Sequence, residues 1–188
     1  PGQTPAWDLI QTWGTDAEPP PVIDGYSVDY DARLAQTLLF GGRGPGTEDG
    51  EPDTLSNALW ALDDPSDSSN GYIWRELQPE GGPDAEVPPP RHGHATAWDP
   101  IRQRLVLFGG SSSPDFADDD DQALLPHTWE WTGRHWLNRT AETPLDLLPK
   151  PRTHHRLAWD ATRQGMLLVG TGQWGDCDDA APPLWLWD

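Results

Sequence analysis

The sequence predicts an all-β chain of about three tandem four-stranded units, and three observations predict it. Segments of one pattern recur along the chain, aligned on Gly41, Gly109 and Gly170. Tryptophan-bearing segments follow each copy at matching distances. No window carries a convincing helical period.

The best-preserved copies are Arg91-His-Gly-His-Ala-Thr-Ala-Trp98-Asp99 and Arg152-Thr-His-His-Arg-Leu-Ala-Trp159-Asp160. The match continues through Arg102-Gln103 and Arg163-Gln164, then through Leu105-Val-Leu-Phe-Gly109 and Met166-Leu-Leu-Val-Gly170. An earlier copy holds Gly25, Tyr30-Asp31 and Leu38-Leu39-Phe40-Gly41-Gly42.

Each element follows from its residues. Strand a runs from the His/Gly segment to Tyr-Asp or Trp-Asp. Strand b is apolar at consecutive positions, as a strand buried on both faces should be, and ends in Gly-Gly or Gly-Thr. The Gly pair permits positive φ and close backbone approach. Strands c and d carry Trp60, Trp129 and Trp185, then Trp74 and Trp136. Asn70-Gly71 and Thr132-Gly133 lie between c and d, where a hairpin turns. At the N-terminus, Thr4-Pro-Ala-Trp7-Asp-Leu-Ile10 matches Gly71-Tyr-Ile-Trp74-Arg-Glu-Leu77 and reads as a strand d. The chain therefore reads d, abcd, abcd, abc.

Composition agrees. The 21 Pro and 19 Gly among 188 residues indicate a loop-rich chain, and the 12 Trp supply large apolar area for a core. The formal net charge of −19 repels nucleic acid and anionic membrane surfaces and favours cations and basic partners. Cys177 stands alone, so the chain holds no disulfide framework. No apolar stretch approaches the roughly 18 residues of a membrane span.

This pattern resembles the Kelch repeat, on Arg91-His-Gly-His94, Leu107-Phe-Gly-Gly110, Trp129 and Trp136. The resemblance implies a partial β-propeller of about three Kelch blades, an open arc or half of a larger ring. Residues 1–24 would hold strand d of a preceding blade and a loop. The blades would be 25–90, 91–151 and 152–188, the last without its strand d. The remaining blades would come from a longer parent chain or from a second copy.

In such a blade the b–c and d–a loops share one face. The b–c loops hold Asp49, Glu51 and Asp53, then Asp118, Asp119, Asp120 and Asp121, then Asp176, Asp178 and Asp179. These acids are the candidate binding residues. Asp16, Glu18, Asp24, Glu80, Asp84, Glu86, Glu142 and Asp146 join them from the d–a loops, while the a–b turns carry Arg33, Arg102, Arg104 and Arg163. The Asp118 to Asp121 and Asp176 to Asp179 stretches offer oxygen ligands to calcium but lack the spacing of an EF-hand loop. No other cofactor is expected. His92 and His94 alternate along strand a, which would set both on one face, where they could hold a metal.

The expected function is recognition of a protein or glycan, with no catalytic residues. Resemblance to bacterial extracellular Kelch proteins implies a fragment of a secreted or surface protein. Two alternatives stand beside it. One is a galactose-oxidase-like copper oxidoreductase, which shares the Kelch propeller, but only Tyr26, Tyr30 and Tyr72 are present and Cys177 has no Tyr near it in sequence. The other is an architectural spacer.

Overall fold

The computed structural model describes residues 19–22, 24–46, 53–63, 72–114, 123–142, 144, 148–170 and 184–188. They form antiparallel β structure with two short 3-10 turns, at Gly82–Asp84 and Thr140–Glu142. The predicted all-β class is what the chain adopts.

In chain order the strands are β1 (Ser27–Asp31), β2 (Gln36–Phe40), β3 (Arg43–Gly44), β4 (Thr54–Leu55), β5 (Leu59–Asp63) and β6 (Ile73–Leu77). Then come β7 (Ala95–Asp99), β8 (Arg104–Phe108), β9 (Thr128–Trp131) and β10 (Trp136–Asn138). The last three are β11 (Arg156–Asp160), β12 (Gly165–Val169) and β13 (Trp185–Trp187). Sheet 1 has the order β1-β2-β5-β6, sheet 2 the order β7-β8-β9-β10, and sheet 3 the order β11-β12-β13. Each is a meander, so the predicted strands a to d appear in sequence. The short ribbon of β3 and β4 extends the b–c connection of sheet 1 and was not foreseen.

Strand a ends the same way in every sheet. Asp31 Oδ1 accepts the Arg33 and Leu34 N–H groups, Asp99 Oδ1 those of Ile101 and Arg102, and Asp160 Oδ1 those of Thr162 and Arg163. The carboxylate thus organises the turn as an Asx motif. Each turn closes on a residue in the left-handed region: Ala35 at φ 51°, Gln103 at φ 55° and Gln164 at φ 55°. The a–b arginines Arg33, Arg102 and Arg163 each pair with the Asp of their own strand a.

The register explains the core. Trp98, Leu105, Trp131 and Trp136 lie across one face of sheet 2, and Ala97, Val106, Glu130 and Leu137 across the other. The first face packs on Leu38, Phe40, Leu59 and Ala61 of sheet 1. The indole of Trp136 meets the Phe40 ring edge-on, 5.0 Å between centroids. The second face meets sheet 3 through Met166, with Leu157, Trp159 and Trp187 partly buried beside it. Strand b is buried on both faces in β8, as predicted, but in β12 Leu167 is only part-buried and Val169 is exposed.

Sheets 1, 2 and 3 follow one another through their first strands, with β1 beside β7 and β7 beside β11. One backbone bond repeats along this line. The Gly93 N–H donates to Gly25 O, and the His154 N–H to Gly93 O, each at 2.9 Å. These three residues occupy equivalent positions with φ of 65°, 64° and 58°. In the third unit a histidine holds the left-handed conformation that glycine takes in the others.

Candidate functional site

The loop face is built on the joints between units, and arginine and glycine make those joints. Arg91 is fully buried. Its Nε donates to Pro89 O at 3.0 Å and its Nη1 to Gly109 O at 2.8 Å. Arg152 repeats the arrangement on Lys150 O and Gly170 O, at 3.0 and 2.7 Å. The Gly42 and Gly110 N–H groups in turn donate to Arg91 O and Arg152 O, both at 2.9 Å. Each arginine therefore clasps strand b of its own unit with its side chain and strand b of the preceding unit with its carbonyl. Burial draws the Arg91 guanidinium down to about 10, still charged at neutral pH.

The need for glycine at Gly41 and Gly109 is steric. A Cβ on Gly41 would stand 2.8 Å from His94 Cε1, and one on Gly109 would stand 2.7 Å from both His155 Cε1 and Arg152 O. The rings of His94 and His155 stand edge-on to Phe40 and Phe108 at 5.3 and 5.5 Å. His94 Nε2 lies 2.9 Å from Ser27 Oγ, and His155 Nε2 donates to Phe108 O at 3.1 Å. Burial, aided by the Arg91 charge, pushes His94 down to about 3, and burial pushes His155 down to about 4. Both rings are neutral packing elements.

The expected same-face pair of His92 and His94 is corrected. The regular strand begins only at Ala95, and Gly93 in the left-handed region breaks the alternation. His94 turns into the joint with sheet 1, while His92 bridges to Ser111 at the loop face. Among the described residues no three His, Cys, Asp or Glu side chains are grouped to hold a metal ion.

On the loop face one side chain gathers three connections. Arg43 grips Asp24 with two nitrogens, Nε to Oδ1 at 3.2 Å and Nη2 to Oδ2 at 2.9 Å. Its Nη1 reaches Asp53 Oδ2 at 3.3 Å and donates to Pro114 O at 3.1 Å. Asp24 belongs to a d–a connection, Asp53 to the b–c connection of sheet 1, and Pro114 to the b–c connection of sheet 2. The fork geometry of guanidinium suits this multiple hold. His92 and Ser111 occupy the positions of Asp24 and Arg43 one unit later and form the same kind of backbone bridge.

Of the b–c acids predicted to bind, only Asp53 falls within the described part; among the described d–a acids, Asp24, Glu80, Glu86 and Glu142 each meet a partner, Arg43, Arg134, Asn138 and Arg139. Asp53 is tied to Arg43 and does not stand free. Asp49, Glu51, Asp118, Asp119, Asp120, Asp121, Asp176, Asp178 and Asp179 lie outside the described residues, as do Trp7 and Cys177. Sequence reasoning missed Arg43. Its place directly after Gly41-Gly42 is visible in the sequence, but no neighbouring residue sets it against Pro114, 71 positions away.

A second polar group lies between sheets 2 and 3. Glu130, fully buried on β9, accepts from Arg139 Nε at 3.1 Å. Arg102 Nη1 lies 3.0 Å and Arg104 Nε 3.7 Å from the same carboxylate. Asp99 and Glu142 balance two of these arginines in turn. The network is close to neutral and serves as packing.

No family model matches the chain, and no curated protein matches it. Among solved structures it is similar to one titled "Structure of YjhT", with 17% identity and a TM-score of 0.48. The match covers 85% of this chain and 44% of that one, so the chain spans less than half of that protein's length.

Proposed function

We propose that the three sheets are successive blades of a Kelch-type propeller arc, and that the arc is a recognition scaffold for a protein or glycan. The observation that carries this reading is the Arg43 clamp. It ties a d–a connection and two b–c connections from two units at one place on the loop face. Loops anchored on a rigid frame are the usual seat of recognition. The inner line of equivalent backbone bonds, Gly25 to Gly93 to His154, supports the radial arrangement.

By sequence, the b–c connections are long and acidic. With a net charge of −19 they favour a basic protein surface, and weak calcium binding at Asp118 to Asp121 is compatible with the same acids. A place outside the cell or on its surface goes with this reading through the Kelch resemblance alone.

The test is binding of the chain to a panel of cationic proteins and a glycan array at low and moderate salt. Charge reversal of Asp118, Asp119, Asp120 and Asp121 to Lys is expected to weaken capture at least tenfold at low salt, with the gap closing as salt screens the charges. Equal capture by both chains would remove these acids from the site.

A further inference from the structure

Two backbone bridges tie the loop face, and they differ in one respect. In the first, the Arg43 N–H donates to Asp24 O at 2.9 Å and the Asp24 N–H to Arg43 O at 3.4 Å, and the two side chains form an ion pair. In the second, one unit later, His92 and Ser111 exchange the same two bonds, at 3.1 and 2.9 Å. An imidazole thus stands where the first bridge has a carboxylate. Imidazole is the side chain that changes its charge between about pH 5 and 8.

The His92 ring is placed to act on the clamp. The residue is buried, and a Cβ on Gly25 would stand 2.8 Å from its own Cβ. The ring meets the Ser113 carbonyl, and Arg43 Nη1 donates to the next carbonyl, that of Pro114, at 3.1 Å. Two side chains from different units therefore hold successive carbonyls of one b–c connection. The base of that connection is also bonded within sheet 2. The Ser112 N–H donates to Ala123 O and the Leu125 N–H to Gly110 O, each at 2.9 Å. Three charged or titratable groups face the ring: Asp24 from the d–a connection, Arg43 from the b–c connection of sheet 1, and His154 from the entry to β11. Asp24 is already gripped by two nitrogens of Arg43, and Asp53 holds Arg43 as well. Burial first, then the charges of Arg43 and His154, hold His92 below the ordinary histidine range, against the pull of the Ser113 carbonyl and of Asp24.

We propose that His92 and Arg43 form an acid-released latch on the b–c connection of sheet 2. With His92 neutral, the two side chains hold the Ser113 and Pro114 carbonyls against the joint. A proton on His92 sets a second buried cation beside Arg43 and frees Ser111 to Pro114 from it. In the open form the ring lies in water and takes a proton near about 6.5. Below that value the open form binds more protons, so the closed form is favoured at neutral pH and loses ground as pH falls. The first bridge, with its carboxylate and guanidinium, keeps its charges through this range and stays shut. The latch rests on the recognition reading above for its use, and it gives that loop face a control by acidity.

Hydrogen exchange of the Ser112 and Leu125 N–H groups, corrected for the chemical rate at each pH, tests this on the parent chain. Both are expected to exchange faster than the amides of β8, as local opening requires, and to open about fivefold more at pH 5.5 than at pH 7. The rise is expected to level off at the pH where the magnetic resonance signals of the His92 ring show it protonated. In a His92→Asn chain with the circular dichroism of the parent, opening at Ser112 and Leu125 is expected to stay within about twofold over the same range, while the β8 amides keep their own pH slope. A flat profile in the parent, exchange of Ser112 and Leu125 in step with β8, or a rise that survives in His92→Asn would each overturn the latch. If that variant does not fold, the parent decides: a rise that continues after the His92 ring is protonated overturns it. No partner is present in this experiment. A flat profile therefore leaves the recognition reading to its own capture test, and failure of capture beside a fivefold rise overturns that reading and leaves the latch standing.

Discussion

The two inter-sheet joints use equivalent positions and reach different degrees of closure. Between sheets 1 and 2, nine side chains from Leu38 to Trp136 form one buried cluster. Between sheets 2 and 3, among the described residues, only Ala97, Val106 and Met166 form the buried cluster, with Leu157, Trp159 and Trp187 partly open. The main chain follows the same pattern in both, and the glycine, histidine and arginine contacts recur almost atom for atom. The difference comes from two changes. The first joint has Trp136 from a fourth strand over Phe40. The second carries Glu130 where the first carries Ala61, and a cluster of arginines gathers around it. A repeat frame can thus keep its inner geometry while its outer packing changes from apolar to ionic.

Removing the indole that seals the first joint should have the largest effect. Trp136→Ala is expected to lower unfolding stability by roughly 3–5 kcal/mol, the usual cost of truncating a buried aromatic. Trp185→Ala, at a half-open position, should cost clearly less in the same urea titration. Equal losses would mean that the two joints are equally closed.

Next in size is the ionic centre of the second joint. Glu130→Ala removes the shared partner of three partly buried arginines and is expected to cost about 2 kcal/mol. The reverse change at the first joint, Ala61→Glu, should also destabilise, because no arginine network is built to receive it. A neutral Glu130→Ala chain would show that the arginines find water instead.

The smallest effect, per unit of pH, is shared by both joints through His94 and His155. Each folded ring resists protonation, at about 3 and about 4. In the unfolded chain each takes up a proton near about 6.5. Below that value the unfolded state binds more protons, so stability is present at neutral pH and is lost as pH falls toward 4. The expected slope is about 1.4 kcal/mol per pH unit for each histidine. His155→Gln should flatten the slope in thermal melts between pH 6.5 and 4.5, and an unchanged slope would assign the acid loss to other groups.

Much of this frame was legible in the sequence, because its signals are local. Strands a and b could be read from the recurring segments, and Gly41-Gly42 and Gly109-Gly110 marked where strand b ends. The Asp31, Asp99 and Asp160 turns were visible as matches but not as mechanism, since the bonds to the following N–H groups appear only with coordinates. Arg43 and Glu130 were illegible for a different reason. Their partners Pro114 and Arg102 lie on other elements far along the chain, and nothing in the neighbouring residues encodes that meeting. The shared face read for His92 and His94, on which they could have held a metal, is broken at Gly93, whose φ is 64°.

The line from Gly25 through Gly93 to His154 has a consequence for how such chains change. Its two bonds close chain segments of unequal length, yet both measure 2.9 Å. Adding or deleting residues in the outer connections therefore leaves the inner seam untouched. Segments of new length and charge can be grafted between β8 and β9, or between β12 and β13, without renegotiating how one sheet sits on the next. A chain organised in this way can change its outer connections by insertion as readily as by substitution.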